Sequence, residues 1–263
     1  MSGGADGRIA RAIARGVWTL GIDRPARRNA LSPVLCDELR AAFADAAADA
    51  SARVVVLRGA GADAFCAGFD IGALRPADAD AVQRGNTALY DALDAVAACR
   101  LPVIASIAGF AIGAGLELAA CCDLRVAADS AYVLMPAAKV GIVYRWEGLS
   151  RIAGVVGATH AAELFVAGRR VAAERAREMG LLNWVVGADT LEAFTSELAA
   201  EVAGHAPLSV GGAKAMFARM RQATAAIAHD DLDTLVRQAR ASEDFREGQR
   251  AFLEKRSPRF VGR

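Results

Sequence analysis

Residues 109–118 read Gly-Phe-Ala-Ile-Gly-Ala-Gly-Leu-Glu-Leu, and this stretch decides how the chain is expected to fold. An apolar run rich in β-branched residues, 101–107, precedes the glycines, and an alanine- and leucine-rich segment follows them. This order predicts a strand, a tight turn and a helix. The first N–H groups of such a helix have no intrahelical partner and can hold an anion. Because Glu117 lies one turn further on, the stretch is a candidate reaction centre.

The composition is typical of a globular, enzyme-sized chain that has no strong overall electrostatic field. The 263 residues are 54% hydrophobic, enough for one sizeable core and a smaller appended region. The 31 basic and 30 acidic residues give a net charge of +1, which argues against nucleic acid or an anionic membrane as a partner. The five cysteines form no C-x-x-C pair, and the three histidines are far apart in the sequence. We therefore expect reduced thiols and no metal site. Residues 1–7 lack a signal-peptide pattern, so we expect a cytoplasmic protein.

One alternative is that the apolar run 101–122 is a membrane-spanning helix. The run is long enough to cross a bilayer and contains one charged residue, Glu117. Pro102 and the repeated glycines interrupt it, and a carboxylate inside a membrane is costly. We therefore favour a strand, turn and helix inside a protein core.

The remaining pattern predicts an α/β fold. A hairpin is expected around Arg15-Gly16, a helix from Ser32 to about Asp49, an apolar strand at 54–57, a helix from about Asn86 to Cys99, and helices throughout 191–254. Two strand–loop–helix units carry small-residue loops in similar positions. This repetition predicts a spiral of ββα units rather than a doubly wound sheet.

Four segments in order carry a resemblance to a known family: 28–31 (Arg-Asn-Ala-Leu), 64–71 (Ala-Phe-Cys-Ala-Gly-Phe-Asp-Ile), 109–123, and 242–256. Together they resemble the crotonase, or enoyl-CoA hydratase/isomerase, family over essentially the whole chain. The resemblance implies a crotonase-type spiral core at 1–190 with an acyl-CoA site. It implies a C-terminal helical region at 191–263 for trimerisation and CoA contact, and hence a homotrimer or a dimer of trimers.

The resemblance also implies an oxyanion hole for the thioester carbonyl. By motif position its two backbone donors are the N–H groups of Phe69 and Ala114. An alanine at the second position keeps the donor, although it could restrict a turn in which glycine is usual. Glu117 matches the first of the two catalytic glutamates of family hydratases, and the alternative is a carboxylate that only stabilises the helix start.

A departure from the family pattern lies in the second half of the chain. Ala137 stands where hydratases carry their second glutamate, and alanine cannot transfer a proton. Nearby, Tyr144-Arg145-Trp146-Glu147-Gly148 replaces the usual glycine-rich turn. Glu147, or else Tyr144, is a hypothetical replacement for the missing acid/base. Alternatively, Glu147 is a helix-start carboxylate or lies in a solvated loop. Arg145 could instead pair with Glu147 or Glu117 and depress the pKa of that carboxylate.

Further residues are candidates for CoA contact through the same resemblance. Those near the first two motifs are Arg27, Arg28, Ala30, Ala64, Ala67 and Asp70, and those near the C-terminus are Phe252 and Lys255. For the basic ones an ordinary solvated charge is the alternative. No cofactor is expected beyond coenzyme A as part of the substrate. Cys66 is expected to be a packing thiol, and His160, His205 and His229 to be structural or exposed.

The activity that follows from the resemblance is hydration of a 2-enoyl-CoA in fatty-acid or related acyl-CoA metabolism. Isomerisation, decarboxylation and C–C hydrolysis remain open, because they need one acid/base and fit Ala137 better. A non-catalytic acyl-CoA-binding protein is a further alternative. The acyl pocket is expected near 75–89 and 144–146, but its substrate cannot be named from these residues.

Overall fold

The computed structural model describes residues 7–70, 79–225 and 230–262. The strands are β1 Arg8–Ala14, β2 Val17–Asp23, β3 Val54–Gly59, β4 Ala64–Cys66, β5 Val103–Ile107, β6 Phe110–Ile112, β7 Leu124–Ala128, β8 Tyr132–Leu134, β9 Val171–Ala172 and β10 Trp184–Val186. The helices are α1 Pro33–Ala48, α2 Ala79–Ala98, α3 Ala114–Cys121, α4 Trp146–Ala162, α5 Ala173–Glu178, α6 Leu191–Gly204, α7 Pro207–Ala225, α8 Asp230–Ala241 and α9 Glu243–Leu253.

The chain divides into two compact units. The first unit comprises Met1–Val133 and Val171–Ala218, and the second comprises Leu134–Arg170 and Arg219–Arg263. The first of the C-terminal helices, α6, packs on β3, β5 and β7 within the first unit. The expected division at residue 190, with its assignment of functions, stays a prediction.

The first unit confirms the spiral of ββα units. Its six-stranded sheet has the order β1-β2-β3-β5-β7-β10, and its four-stranded sheet has the order β4-β6-β8-β9. Each of the three repeats therefore gives its longer strand (β3, β5 or β7) to the first sheet and its short strand (β4, β6 or β8) to the second. The β2–β3, β3–β5, β5–β7 and β7–β10 pairs are parallel, and the predicted β1–β2 hairpin is antiparallel.

Local sequence explains the elements that were predicted. All five residues of β5 and the first four of β3 are buried, as expected for parallel strands covered on both faces. Ser32 caps α1, because its Oγ accepts a hydrogen bond from the Leu35 N–H at 3.2 Å. Pro33 then occupies the first turn, where its missing N–H costs nothing.

Several sequence expectations were wrong in detail. The short strands β4 and β6 form where a loop and a turn were expected. Helix α2 begins by Ala79, not near Asn86, and the preceding residues 71–78 lie outside the described part. The membrane-spanning alternative for 101–122 is also wrong, because that run forms β5, β6 and the eight-residue α3. Among the described residues no helix is long and apolar enough to cross a membrane.

The second unit contains the C-terminal signature. Its helix α9 is capped by Ser242, whose Oγ accepts from the Phe245 N–H at 3.0 Å. Glu247 accepts hydrogen bonds from the side chains of Arg256 and Arg250 and from the Arg259 N–H, and these contacts hold its pKa well below the usual range. Glu247 thus fixes the final residues of the chain against α9.

The first prediction concerns a buried ion pair that holds α7 in the first unit. Lys214 Nζ donates to the Leu101 carbonyl at 2.6 Å and pairs with Asp123 Oδ2 at 2.5 Å. Lys214→Met would leave that carboxylate unpaired, so we expect the free energy of unfolding to fall by about 3 kcal/mol in urea titrations. The control is Arg58→Met, which removes an exposed pair with Glu192 and should cost less than about 1 kcal/mol. Equal losses in the two variants would contradict the prediction.

Candidate active site

Two backbone segments of the first unit meet without side chains between them. A Cβ added to Gly115 would lie 2.3 Å from the Cys66 carbonyl oxygen, and one added to Gly68 would lie 2.8 Å from the Ile112 carbonyl oxygen. Gly68 also has φ +100°, a conformation that favours glycine. The loop after β4 and the start of α3 are therefore in direct backbone contact.

The direction of the Phe69 N–H follows from the hydrogen bonds of its neighbours. The Leu31 N–H donates to the Gly68 carbonyl at 2.8 Å, and the Asp70 N–H donates to the Leu31 carbonyl at 2.8 Å. In a trans peptide group the N–H points opposite to the C=O. The Phe69 N–H therefore points away from Leu31, and it has no hydrogen-bond partner among the described residues.

Ala114 supplies the second predicted donor from the first position of α3. The first hydrogen bond of this helix runs from the Glu117 N–H to the Gly113 carbonyl at 3.0 Å, so the Ala114 N–H precedes the intrahelical ladder. Ala114 N lies 3.6 Å from the position of a Cβ on Gly68. The positive φ of this turn falls on Gly113, at +55°, and not on Ala114. Alanine is therefore accommodated at this position without backbone strain.

Glu117 is a carboxylate on the same helix as the second predicted donor, Ala114. It lies in the first turn of α3 and is 3% exposed, between the fully buried Leu116 and Leu118. The positive end of the helix dipole favours a negative charge in this turn. The structure thus places Phe69, Ala114 and Glu117 on two contiguous segments of one unit.

The second unit holds the segment that departs from the family pattern. Ala137 begins a short 3-10 helix and is 4% exposed. Glu147 lies in the first turn of α4, with its Oε2 3.8 Å from Arg145 Nη1. The ring of Tyr144 contacts Phe165 edge to face, with centroids 5.3 Å apart. The helix-start position and the ion pair expected for Glu147 are both present.

The predicted CoA contacts occupy different environments. Arg27 and Arg28 are exposed in the first unit, and Phe252 and Lys255 are exposed in the second. The backbone of two further candidates is engaged within the protein, since the Ala64 carbonyl accepts from Asn29 Nδ2 at 2.7 Å and the Ala67 N–H donates to the Arg28 carbonyl at 3.1 Å.

The sequence profile of the family described as enoyl-CoA hydratase/isomerase matches residues 12–263. The chain belongs to the enoyl-CoA hydratase/isomerase family. A probable enoyl-CoA hydratase from Mycobacterium leprae is 36% identical over 254 residues, which cover 95% of this chain and 97% of the relative.

Solved structures of family relatives agree with this assignment. An enoyl-CoA hydratase/carnithine racemase from Magnetospirillum magneticum has 36% identity and a TM-score of 0.78, with 97% of this chain and 96% of that chain covered. A methylmalonyl-CoA decarboxylase in complex with 2-nitronate-propionyl-CoA has 27% identity and a TM-score of 0.88, with 97% and 99% covered. These neighbours confirm the crotonase-type fold of this family member.

Two polar residues near the family motifs, Arg24 and Asn29, hold the candidate site together, although the sequence does not predict either as a site residue. Arg24 belongs to the basic segment 24–28, yet its side chain is 7% exposed and its Nη1 is 2.8 Å from Asp70 Oδ2. Asn29 is a residue of the Asn-Ala-Leu motif, and its Nδ2 donates hydrogen bonds to the carbonyls of both Ala60 and Ala64. A local signal for Asn29 is its place in the Asn-Ala-Leu motif, whereas Arg24 has no such signal.

Cys66 is a packing thiol, as predicted. It is fully buried, its Sγ accepts from the Gly68 N–H at 3.4 Å, and burial raises the pKa of the thiol to about 12. A thiol of this kind is not a nucleophile near neutral pH. His160 and His205 lie near glutamates of their own helices or helix ends, and His229 lies outside the described residues.

The contact between the two segments can be tested by a pair of glycine substitutions. Gly115→Ala would force its methyl group into the Cys66 carbonyl, so we expect the free energy of unfolding to fall by about 1–3 kcal/mol. Gly154→Ala is the matched control, because nothing lies within 4 Å of a Cβ added there in α4. Chemical denaturation of both variants checks this, and a Gly115→Ala protein as stable as the control would contradict it.

The thiols give a test of burial and its pH dependence. All five cysteines are free and buried, and burial raises the pKa of Cys36 and Cys66 to about 12. At about pH 8 a thiol-specific disulfide reagent should label the native protein far more slowly than the denatured protein. Unfolded thiols ionise near about pH 8.5, so this contribution to stability is present below that pH and is lost as the pH rises toward 12. Rapid native labelling would contradict the prediction.

Proposed function

We propose that this family member is an acyl-CoA enzyme that holds the carbonyl oxygen of a thioester between the N–H groups of Phe69 and Ala114. The observation that supports the proposal is the direct contact between the Cys66–Gly68 and Gly113–Gly115 segments. It brings the two peptide segments together with the Phe69 N–H turned away from Leu31 and the Ala114 N–H ahead of the helical ladder. Two fixed donors of this kind suit an oxygen that gains negative charge.

The two N–H donors would accelerate the reaction by stabilising its transition state. When a thioester becomes an enolate, negative charge develops on the former carbonyl oxygen, and preorganised donors need not reorient to meet it. Removing one such donor typically costs about 3–4 kcal/mol of barrier. The N-terminal dipole of α3 adds to the same effect at Ala114.

Glu117 is assigned the proton transfers. As a buried carboxylate one turn beyond Ala114, it is attached to the same helix as one donor. A group positioned in this way can take a proton from water or from the α-carbon, or return one to the α-carbon.

Hydration of a 2-enoyl-CoA is our first assignment of the reaction, supported by the name of the relative from M. leprae. Water adds its oxygen to the β-carbon, the π electrons move into the enolate, and the α-carbon then takes a proton. With alanine at position 137, Glu117 would accept the proton of water and also supply the proton at the α-carbon.

Decarboxylation of a 2-carboxyacyl-CoA is the second candidate. The C–C bond to the carboxylate breaks, its electron pair enters the enolate, CO2 leaves, and the α-carbon takes one proton. This reaction needs one proton transfer and no activated water. Ala137 favours it, as does the TM-score of 0.88 with methylmalonyl-CoA decarboxylase. Isomerisation and C–C hydrolysis share the enolate, and isomerisation is supported by the name of a relative from Arabidopsis thaliana, a dienoyl-CoA isomerase that is 31% identical.

The CoA portion is assigned to the exposed Arg27 and Arg28, and its nucleotide to Phe252 and Lys255 of an adjacent protomer, as the family resemblance implies. The acyl-CoA is the substrate and no other cofactor is proposed. Assembly as a homotrimer or a dimer of trimers, and a cytoplasmic location, remain predictions from the sequence.

The proposal is tested with crotonyl-CoA, followed by its enoyl-thioester absorbance, and methylmalonyl-CoA, followed by CO2 release. We expect Glu117→Gln to lower kcat on the active substrate by about 10²- to 10⁴-fold. Glu192→Gln is the control, because Glu192 is 82% exposed on α6. Unchanged turnover in Glu117→Gln would contradict the assigned role.

The two substrates separate the candidate reactions. Loss of crotonyl-CoA absorbance supports hydration, and CO2 release supports decarboxylation. Binding of both esters without turnover would support the non-catalytic alternative. In the same assays Glu147→Gln tests the second acid/base hypothesis, since an unchanged kcat would leave Glu147 as a helix-start carboxylate paired with Arg145.

A further inference from the structure

A buried arginine connects the two segments that fix the direction of the Phe69 N–H. Arg24 Nη1 donates to the Ala30 carbonyl at 3.2 Å and lies 2.8 Å from Asp70 Oδ2. The side chains of Arg24 and Asp70 are 7% and 13% exposed. One guanidinium therefore holds both the residue before Leu31 and the residue after Phe69.

The segments held by Arg24 determine the orientation of the Gly68–Phe69 peptide group, which carries the Phe69 N–H. Leu31 holds the Gly68 carbonyl through its N–H and the Asp70 N–H through its carbonyl. Since the Gly68 carbonyl and the Phe69 N–H belong to one planar group, a rotation of this group would move the donor. Such a rotation would also break the bond to Leu31.

The side-chain amide of Asn29 also holds the segment that precedes Leu31. Its Oδ1 accepts from the Arg24 N–H at 3.1 Å, and its Nδ2 donates to the carbonyls of Ala60 and Ala64 at 3.0 and 2.7 Å. Asn29 has φ +58°, so this amide is presented from a left-handed turn. The segment before Leu31 is thus tied to both ends of the loop that leads into β4.

The charge of the pair matters as well as its geometry. Asp70 directly follows the residue whose N–H is assigned to the developing oxyanion, and a bare carboxylate there would oppose negative charge on the substrate. Arg24 neutralises it. Arginine places this charge at the end of a long side chain, where Nη1 alone reaches both the carboxylate and the Ala30 carbonyl. A lysine at this position has a shorter reach.

We propose that Arg24 and Asp70 are positioning residues that hold the Gly68–Phe69 peptide group in the orientation required by the oxyanion hole. The proposal rests on the function proposed above and replaces the expected CoA contact of Asp70 with a role inside the protein. The two side chains exert their effect through Leu31 and the peptide plane.

The test measures the polarisation of a bound carbonyl directly. Butyryl-CoA labelled at its thioester carbonyl carbon is bound to the full chain, and isotope-edited infrared difference spectra report the C=O stretching frequency. Hydrogen bonds from the hole lower this frequency. The variants are Arg24→Met, which removes the charge and both hydrogen bonds, and Arg24→Lys, which keeps the charge on a shorter side chain. The burial-matched control is Lys214→Met, in which the lost pair involves Asp123 and not the donor loop.

We expect the lowering of the C=O frequency to decrease in the order wild type, Arg24→Lys, Arg24→Met. The kcat on the active substrate should fall in the same order, by about 10- to 100-fold for Arg24→Met, because a displaced donor loses part of a 10²- to 10³-fold effect. KM should stay within about threefold of the wild-type value. Lys214→Met should be less stable than wild type but keep the wild-type frequency.

The outcomes separate this inference from the proposed function. If wild type binds butyryl-CoA without any lowering of the C=O frequency, the oxyanion-hole proposal itself fails. If wild type shows the lowering and Arg24→Met keeps it together with full kcat, only the positioning role is overturned. Should Arg24→Met not fold, a wild-type frequency and kcat in Arg24→Lys overturn it instead. An equal change in Lys214→Met would also overturn it, because general loosening would then explain the result.

Discussion

The first unit depends on the contact of two backbone segments that no side chain separates. Gly68 and Gly115 allow the loop after β4 to reach the start of α3, since a methyl group at either position would meet a carbonyl oxygen at 2.8 or 2.3 Å. A backbone approach of this closeness is possible only with glycine. The short strands β4 and β6 pair in parallel directly beside this contact, with a shift of register between Ala64 and Cys66.

Hydrogen bonding converts that contact into a defined orientation. The Leu31 N–H and carbonyl hold the peptide groups on either side of Phe69, and the Arg24–Asp70 pair and Asn29 hold the segment that carries Leu31. The polar groups concerned are buried or nearly so, where a broken hydrogen bond is costly. In the oxyanion hole proposed above, an arrangement of this kind would be preorganised, with no ordering of the donors needed as the substrate carbonyl becomes charged.

The site proposed for this family member has one carboxylate in place of the two that the resemblance implies for family hydratases. Glu117 has the burial and the helix position of an acid/base, whereas Ala137 contributes a methyl group at the position of the second family glutamate. Glu147 already has a structural role at the start of α4, beside Arg145. Among the proposed reactions, those that need one proton transfer fit these residues more simply than hydration, whereas the relative from M. leprae carries the name of a hydratase.

The sequence by itself determined the repeated ββα spiral, the β1–β2 hairpin, the cap of α1 and the segments of the family motifs. Each of these depends on local signals: apolar runs, glycine turns, an N-cap serine or a motif of fixed spacing. Only the tertiary structure decided that β4 and β6 are strands and that Arg24 is buried against Asp70. Three-residue strands have too few residues to show a period, and a single arginine in a basic loop has no local pattern that reveals its partner. Both features arise from pairing between residues about 45 positions apart along the chain, and burial at such distances is set by the packing of the whole unit.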